Sequence, residues 1–141
     1  MAEMRRQIHD NLVAITSLVV ALSALGYNTW RNERTEKNRN IRVAGIEMLH
    51  EIGSLQQIIF YAHYADGDQR GDPRMGWADV LTINDLAALM PADVMRDAAK
   101  LRATWEADSE GLIERDDSFA RIDGAIDTLR QSTLAELRAL R

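Results

Sequence analysis

The sequence predicts an all-α protein: a single N-terminal transmembrane helix that continues as a long stalk helix into a small antiparallel helical bundle. Three observations predict this fold class. Residues 12–27 form an apolar run that has no charge and no proline. Apolar residues then recur in steps of three and four from Ile41 to Ala62, the spacing of one helical face. No window shows the two-residue alternation of a half-buried strand, so we expect no sheet.

The apolar run is predicted to be a membrane anchor, because an apolar segment survives in lipid only as a helix that pairs its own backbone groups. Residues 12–27 alone would span roughly 24 Å, against a hydrocarbon thickness of about 30 Å. Adding Asn11 and residues 28–30 brings the segment to spanning length. Tyr27 and Trp30 then fall at the headgroup level, where amphipathic rings are enriched. We therefore assign residues 1–30 to an N-terminal tail and transmembrane anchor.

A cleaved secretory signal peptide is the competing interpretation of the same run. Arg5 and Arg6 would form its basic start, and Ala21-Leu22-Ser23 a small-x-small cleavage site. The basic residues that follow the run at once and the aromatic pair at its end both favour the anchor.

Basic side chains beyond the run predict both headgroup contact and orientation. They outnumber the two arginines on the N-terminal side, so the positive-inside rule places the C-terminal domain in the cytoplasm. We expect a bacterial inner-membrane protein with one span. The residues expected at the lipid headgroups are Arg31, Arg34, Lys37, Arg39 and Arg42.

The charge of the chain is divided along its length. Residues 1–45 carry seven basic and four acidic side chains, a net charge of +3, whereas residues 46–141 carry ten basic and eighteen acidic, a net charge of −8. An acidic domain argues against nucleic acid as a partner, since phosphate binding needs clustered Lys and Arg. The basic part is placed to meet membrane lipid. The absence of cysteine excludes disulfides and thiol chemistry.

Residues 31–64 are predicted to form a basic stalk and a long amphipathic helix, without a break before Tyr64. The heptad-spaced apolar residues of this helix form one stripe that we expect to pack against other helices, with Ile58 and Phe60 widening it. The stripe consists of Ile41, Ala44, Met48, Ile52, Leu55, Ile59 and Ala62.

Residues 65–141 are predicted to be a loop followed by a helical-hairpin bundle. Glycine, proline and aspartate recur in the stretch 64–76, which we interpret as a solvent-exposed turn. A short helical piece should run from Trp77 to about Ile83. Thr82 and Asp85 resemble a capping box that would start a further helix over residues 86–90.

Two longer helices are expected after this point. Pro91 suits the first turn of one, and Ser118 the N-cap of the other. Asp108 interrupts the apolar face of the first. The inner face of the first helix is predicted to carry Val94, Ala98, Leu101, Trp105 and Leu112, and that of the last Phe119, Ile122, Ile126, Leu129, Leu134, Leu137 and Leu140.

Two sequence patterns resemble metal-binding sites, but neither has the full set of ligands. Glu47 and His50 have the Glu-x-x-His spacing of carboxylate-bridged di-iron bundles, but there is no second such pair. A calcium loop starting at Asp66 would have Arg70 at its fifth position and Trp77 in place of its final glutamate. We therefore predict no metal and no cofactor. Phosphate-binding loops and nucleophile elbows are also absent from the sequence, so we expect no catalytic residues and no enzyme activity.

A stripe of small or polar residues runs down one side of the anchor, which is a pattern used for close helix packing in lipid. Alanine and serine are also common in anchors of any kind, so both interpretations stay open. The stripe is Ala14, Ser17, Ala21, Ala24 and Asn28.

These observations predict a non-enzymatic, single-pass membrane protein that acts as an interaction module. It would self-assemble as a homo-oligomer or serve as an accessory subunit of a larger membrane complex. Two alternatives remain: a sensor whose loop, residues 66–77, binds a ligand, and a membrane-permeabilising effector. Only Thr16, Ser17 and Ser23 could line a pore in the span.

Overall fold

The computed structural model describes residues 2–65 and 68–140, with the side chains of residues 2–6 and 8–10 left out. Arg5, Arg6 and Asp66, which entered the orientation, signal-peptide and calcium-loop predictions, lie outside the described side chains. The described residues form four α-helices and no strand: α1 (Ala2–Tyr64), α2 (Pro73–Ala87), α3 (Ala92–Asp108) and α4 (Asp116–Ala139). Two short 3-10 helices, Gln69–Gly71 and Ser109–Gly111, lie in the connections. The predicted all-α class and the helical bundle formed by a long N-terminal helix with other helices are confirmed.

Helix α1 continues without a break from Ala2 to Tyr64. Contacts within the chain divide it into two compact units, Met1–Lys37 and Asn38–Arg141. The predicted boundary at residue 30 falls inside α1, and the one at residue 64 at its end. The second unit holds the end of α1 and the other three helices.

The core of the second unit is built on one face of α1. The helix α4 runs antiparallel to α1, since the positions in contact rise along one and fall along the other. A polar bond joins them as well, because Gln56 donates to Asp123 Oδ1 at 3.4 Å and accepts from Arg130. The contacts in order are Gly45–Leu137, Met48–Thr133, Gln56–Asp123 and His63–Phe119.

Helix α2 begins earlier than predicted. Asp72 is its N-cap and accepts a hydrogen bond from the Arg74 backbone N–H at 2.9 Å, with Pro73 at the first helical position. The predicted capping box at Thr82 is wrong. Thr82 lies inside α2, and its hydroxyl donates to the Ala78 carbonyl at 2.9 Å. This bond goes back to the preceding helical turn, and a residue at the start of a helix has no such turn before it.

A glycine sets how closely α2 approaches α3. A Cβ atom at Gly76 would lie 2.3 Å from Cζ2 of Trp105, whose side chain is fully buried. No real side chain occupies that space, so the ring fits against the α2 backbone only because residue 76 has no side chain. Leu55 of α1 reaches the same point.

The starts of the last two helices also differ from prediction. Pro91 precedes the first helical residue of α3 and is its N-cap. Ser118 is not the N-cap of α4; it is buried within the first turn, and its hydroxyl donates to Asp108 at 3.3 Å. Arg115 takes the capping position in extended conformation, and Asp116 and Asp117 supply the negative charge that favours a helix N-terminus.

The connection between α1 and α2 packs against α1. Gly71 is buried, and a Cβ atom on it would lie 2.3 Å from the Ala62 backbone nitrogen. Gly71, which lies in the stretch predicted to be a turn, therefore also allows close contact with the α1 backbone. Arg70 stacks over the Tyr61 ring at 4.0 Å, which attaches the same connection to α1 by a cation–π contact.

Candidate membrane anchor and packing surfaces

The apolar part of α1 exposes its large side chains all the way around the helix. Exposure ranges from 53% at Val13 to 65% at Leu25, and residues 11–30 are all exposed. Within the part of the chain that the structure describes, α1 is the one helix long and apolar enough to cross a membrane. A signal sequence near an N-terminus meets the same criteria of length and composition.

Two hydroxyl groups inside this apolar part are hydrogen-bonded to the backbone of their own helix. The Thr16 hydroxyl donates to the Leu12 carbonyl at 2.8 Å, and the Thr29 hydroxyl donates to the Leu25 carbonyl at 3.0 Å. These bonds remove two hydroxyl donors that would otherwise be unpaired in hydrocarbon. These two hydroxyl groups therefore need no partner from the medium around the helix.

The aromatic and basic residues expected at the interface follow the apolar part in order. Tyr27 and Trp30 lie with ring centroids 6.1 Å apart, and the Arg34 guanidinium stands 5.7 Å from the Trp30 ring. All five predicted headgroup residues (Arg31, Arg34, Lys37, Arg39 and Arg42) are exposed. No ion pair within the described chain neutralises the exposed Arg31, Arg34 and Lys37, so their charges face outward.

The small-residue stripe of the anchor is exposed along its whole length, as are the larger apolar residues beside it. Its members are Ala14, Ser17, Ala21, Ala24 and Asn28. The stripe is accordingly open to another helix, but the structure does not distinguish it from the other faces of the segment.

The heptad-spaced stripe of the long helix lies inside the bundle. Its seven residues, which we call the inner stripe, are all at most 7% exposed and contribute a large share of the core. The inner stripe therefore packs within this chain and presents no surface to another molecule. It consists of Ile41, Ala44, Met48, Ile52, Leu55, Ile59 and Ala62.

The candidate metal patterns do not come together in space. Glu47 and His50 are both exposed on α1. In the connection, the Asp68 carboxylate pairs with Arg70 at 2.6 Å and the Asp72 carboxylate with Arg74 at 2.7 Å. Hydrogen bonds from these arginines lower the pKa of both carboxyl groups. Among the described residues there is no group of three or more potential ligands that could hold a metal ion.

An ion pair between α3 and α4 was missed as a site by sequence reasoning. Arg121 donates to both carboxylate oxygens of Asp108, at 2.9 and 2.6 Å, and to Asp117 at 2.8 Å. The hydrogen bonds from Arg121 lower the pKa of the buried Asp108 carboxyl, and burial opposes the shift. The signal was present, since a charged residue that interrupts an apolar face requires a partner.

A histidine at the end of α1 also has a structural role that the sequence did not indicate. The His63 ring stacks on Phe119 with centroids 4.4 Å apart and an interplanar angle of 18°. Its Nδ1 lies 3.1 Å from the Leu112 carbonyl oxygen, and its Nε2 lies 3.4 Å from the Asp116 carboxylate. His63 thus joins α1 to the connection before α4 and to the first turn of α4.

Comparison with known proteins adds no further assignment. No family model, curated protein or solved structure matches the chain. The features that bear on function are therefore those of the chain itself: the exposed apolar segment, the basic residues after it and the surfaces of the bundle.

The surface of the bundle carries open grooves. One of about 530 Å³ lies between α3 and α4 and is lined by Lys100, Thr104 and Arg121 among others. Another, of about 320 Å³, lies on α1 around Gly53 and Phe60. The charged groups in the first groove belong partly to the Asp108–Arg121 pair, which already serves the packing of α3 on α4.

Proposed function

We propose that this protein is a single-pass membrane protein whose helical bundle acts as an interaction module without catalysis of its own. One observation carries the proposal. Residues 12–30 expose apolar side chains on every face of α1, although the bundle completes its own core. A helix that is apolar all round is stable only where its whole circumference meets an apolar medium.

The interface residues support a span rather than another buried position. Tyr27 and Trp30 end the apolar segment, and exposed Arg31 and Arg34 follow directly. This order is the one in which a helix leaves hydrocarbon, crosses the headgroups and enters water. The excess of basic residues on the C-terminal side favours a cytoplasmic bundle at a bacterial inner membrane, with membrane lipid as the first partner.

The proposal of an interaction role follows from what the reactive side chains do. His63 packs against Phe119, and Asp108 binds Arg121, so two groups capable of acid–base chemistry serve as structural links. The exposed small-residue stripe (Ala14, Ser17, Ala21, Ala24 and Asn28) is proposed to pack against neighbouring helices in the bilayer. The role is then self-assembly or service as an accessory subunit of a membrane complex.

Membrane anchoring is tested on the full chain expressed in bacteria. We expect the intact polypeptide to stay in the membrane pellet after carbonate washing, and a cytoplasm-active reporter fused after Arg141 to be active. Release into the supernatant, or loss of the first two dozen residues from the mature chain, would contradict the anchor. Activity of a periplasm-only reporter at the same position would overturn the orientation.

A further inference from the structure

The part of α1 within the bundle has a second face with heptad spacing, opposite the inner stripe. Its positions follow in steps of three and four, and six of them form what we call the outer seam: Val43, Ile46, His50, Gly53, Gln57 and Phe60. In heptad notation the a positions are Val43, His50 and Gln57, and the d positions are Ile46, Gly53 and Phe60. Tyr64 extends the seam by one further a position.

The large apolar members of the outer seam are exposed, as is Tyr64 beyond its end. Val43 is 62% exposed, Ile46 58%, Phe60 54% and Tyr64 63%. These four large side chains lie on one helical face, whereas single exposed apolar residues scattered over a surface would need no explanation. Among the described residues, Val43, Ile46 and Phe60 stay exposed although α1 is packed in its own bundle through the inner stripe, and at Tyr64 the ring of Phe119 lies 5.5 Å away.

The charges beside the seam suit a second copy of the same helix. Arg42 stands at a g position and Glu47 at the following e position, the two positions that face each other between parallel strands of a coiled coil. Both side chains are exposed, and neither makes an ion pair within the described residues. In a two-fold dimer, Arg42 of each copy would lie opposite Glu47 of the other copy. The remaining e and g residues bring no like charges together.

The middle of the seam is small and polar, which favours one register. A Cβ atom on Gly53 would meet nothing within 4 Å, and the groove around it is open. Two helices could approach closely at this point, as at other glycine contacts. His50 and Gln57 occupy a positions, where a polar residue fixes register and strand number at a cost in stability.

Counted back in heptads from Val43, the a and d positions are first polar and then apolar, so the apolar register is interrupted between residues 29 and 39. The polar positions are Thr29, Asn32, Glu36 and Arg39, and the apolar ones are Ile15, Leu18, Leu22 and Leu25. The a position at 15 and the d positions at 18 and 25 are branched aliphatic residues, as in a parallel dimer. The small residues at 14, 21 and 28 fall at g positions beside this line, where they permit close approach.

We propose that the outer seam binds a second copy of this chain, in a parallel and in-register dimer. This inference rests on the proposed function in one respect: two copies anchored in the same membrane share an orientation, which makes the parallel arrangement the available one. The seam then supplies the contact outside the bilayer, and the bundle of each copy lies on the far side of its α1.

Disulfide cross-linking tests the contact directly, because the natural chain has no cysteine. Ile46→Cys and Phe60→Cys should each give a covalent dimer of twice the 15.9 kDa chain mass on mild oxidation in native membranes. A cysteine pair bridges only where the Cβ atoms come within about 4.5 Å. Leu81→Cys is the matched control, since Leu81 is 45% exposed and lies on α2, outside the seam residues.

Charge reversal tests the identity of the partner. In the Phe60→Cys background, Arg42→Glu should lower the yield of dimer roughly fivefold, because it sets two pairs of like charges opposite each other. Glu47→Arg should do the same. The two changes together restore the opposite signs and should return the yield to its starting value. Circular dichroism of each variant shows that the helices are retained.

The outcomes separate this inference from membrane anchoring. A chain that stays in the carbonate pellet but cross-links no better at residues 46 and 60 than at residue 81 would overturn the dimer and leave the anchor intact. Cross-linking to a different protein at the seam, or failure of the double charge variant to recover, would also overturn it. A cross-linked dimer found in the supernatant would overturn the anchor instead.

Discussion

Two segments of one helix meet opposite environments. Residues 12–30 of α1 are exposed on every side, whereas the inner stripe between Ile41 and Ala62 is buried. Both segments are apolar, and nothing interrupts the helix between them. They differ in how the apolar residues are distributed around the axis. Apolar residues on all sides need an apolar solvent, whereas a single stripe needs a partner on one side only.

Truncating a leucine in each segment should give the largest contrast. Leu55→Ala removes a fully buried side chain and should lower the free energy of unfolding of the bundle by about 2–5 kcal/mol. Leu22→Ala, at a position 60% exposed, should leave that free energy unchanged. Urea unfolding of both full-length variants in mild detergent measures the difference. Equal losses would show that residues 12–30 also pack onto the bundle.

A methyl group added to a glycine in each region should give a smaller contrast. Gly76→Ala forces a Cβ atom against Trp105 and should destabilise the bundle by about 1–3 kcal/mol. Gly26→Ala meets nothing within 4 Å and should leave bundle unfolding as it is. Thermal unfolding followed by tryptophan fluorescence compares them. A stable Gly76→Ala variant would mean that α2 and α3 lie further apart than described.

Acidification should lower the stability of the bundle by a still smaller amount, because it protonates the Asp108 carboxylate. Its pKa is depressed below the ordinary value of 3.8 by Arg121, so the stability it supplies is present above that pH and is lost as the pH falls below it. The melting temperature should therefore fall on acidification from about pH 5 to pH 3. Asp108→Asn should melt lower at pH 7 and show a shallower fall. If the melting temperature of this variant fell with pH as steeply as that of the natural chain, Asp108 would not be the cause of the pH dependence.

Sequence patterns located the helices better than they located the helix starts. The apolar periodicity of the inner stripe requires only that neighbouring residues share a face, and every member is buried. Thr82 and Ser118 satisfy the residue preferences of an N-cap, yet both lie inside helices. Asp72 and Arg115 take those positions instead, because the local preference for a cap is weak against the packing of whole helices.

The polar contacts between helices could not be predicted from the sequence, for a related reason. Gln56 meets Asp123 and Arg130, and His63 meets Phe119, across separations of more than fifty residues. Each side chain alone is ordinary for a helix surface. Its partner depends on which helices are adjacent and on their rotation, and neither is encoded in local spacing.

By itself the sequence determined that this chain is helical, where its apolar segments lie and which of them is apolar all round, because these properties depend on residues close together in the chain. Tertiary structure alone decided that Gly71 and Gly76 serve close packing, that Asp108 has a partner in Arg121 and that one face of α1 stays open beside Val43. Such features depend on the distance between helices, which the packing of the complete core sets.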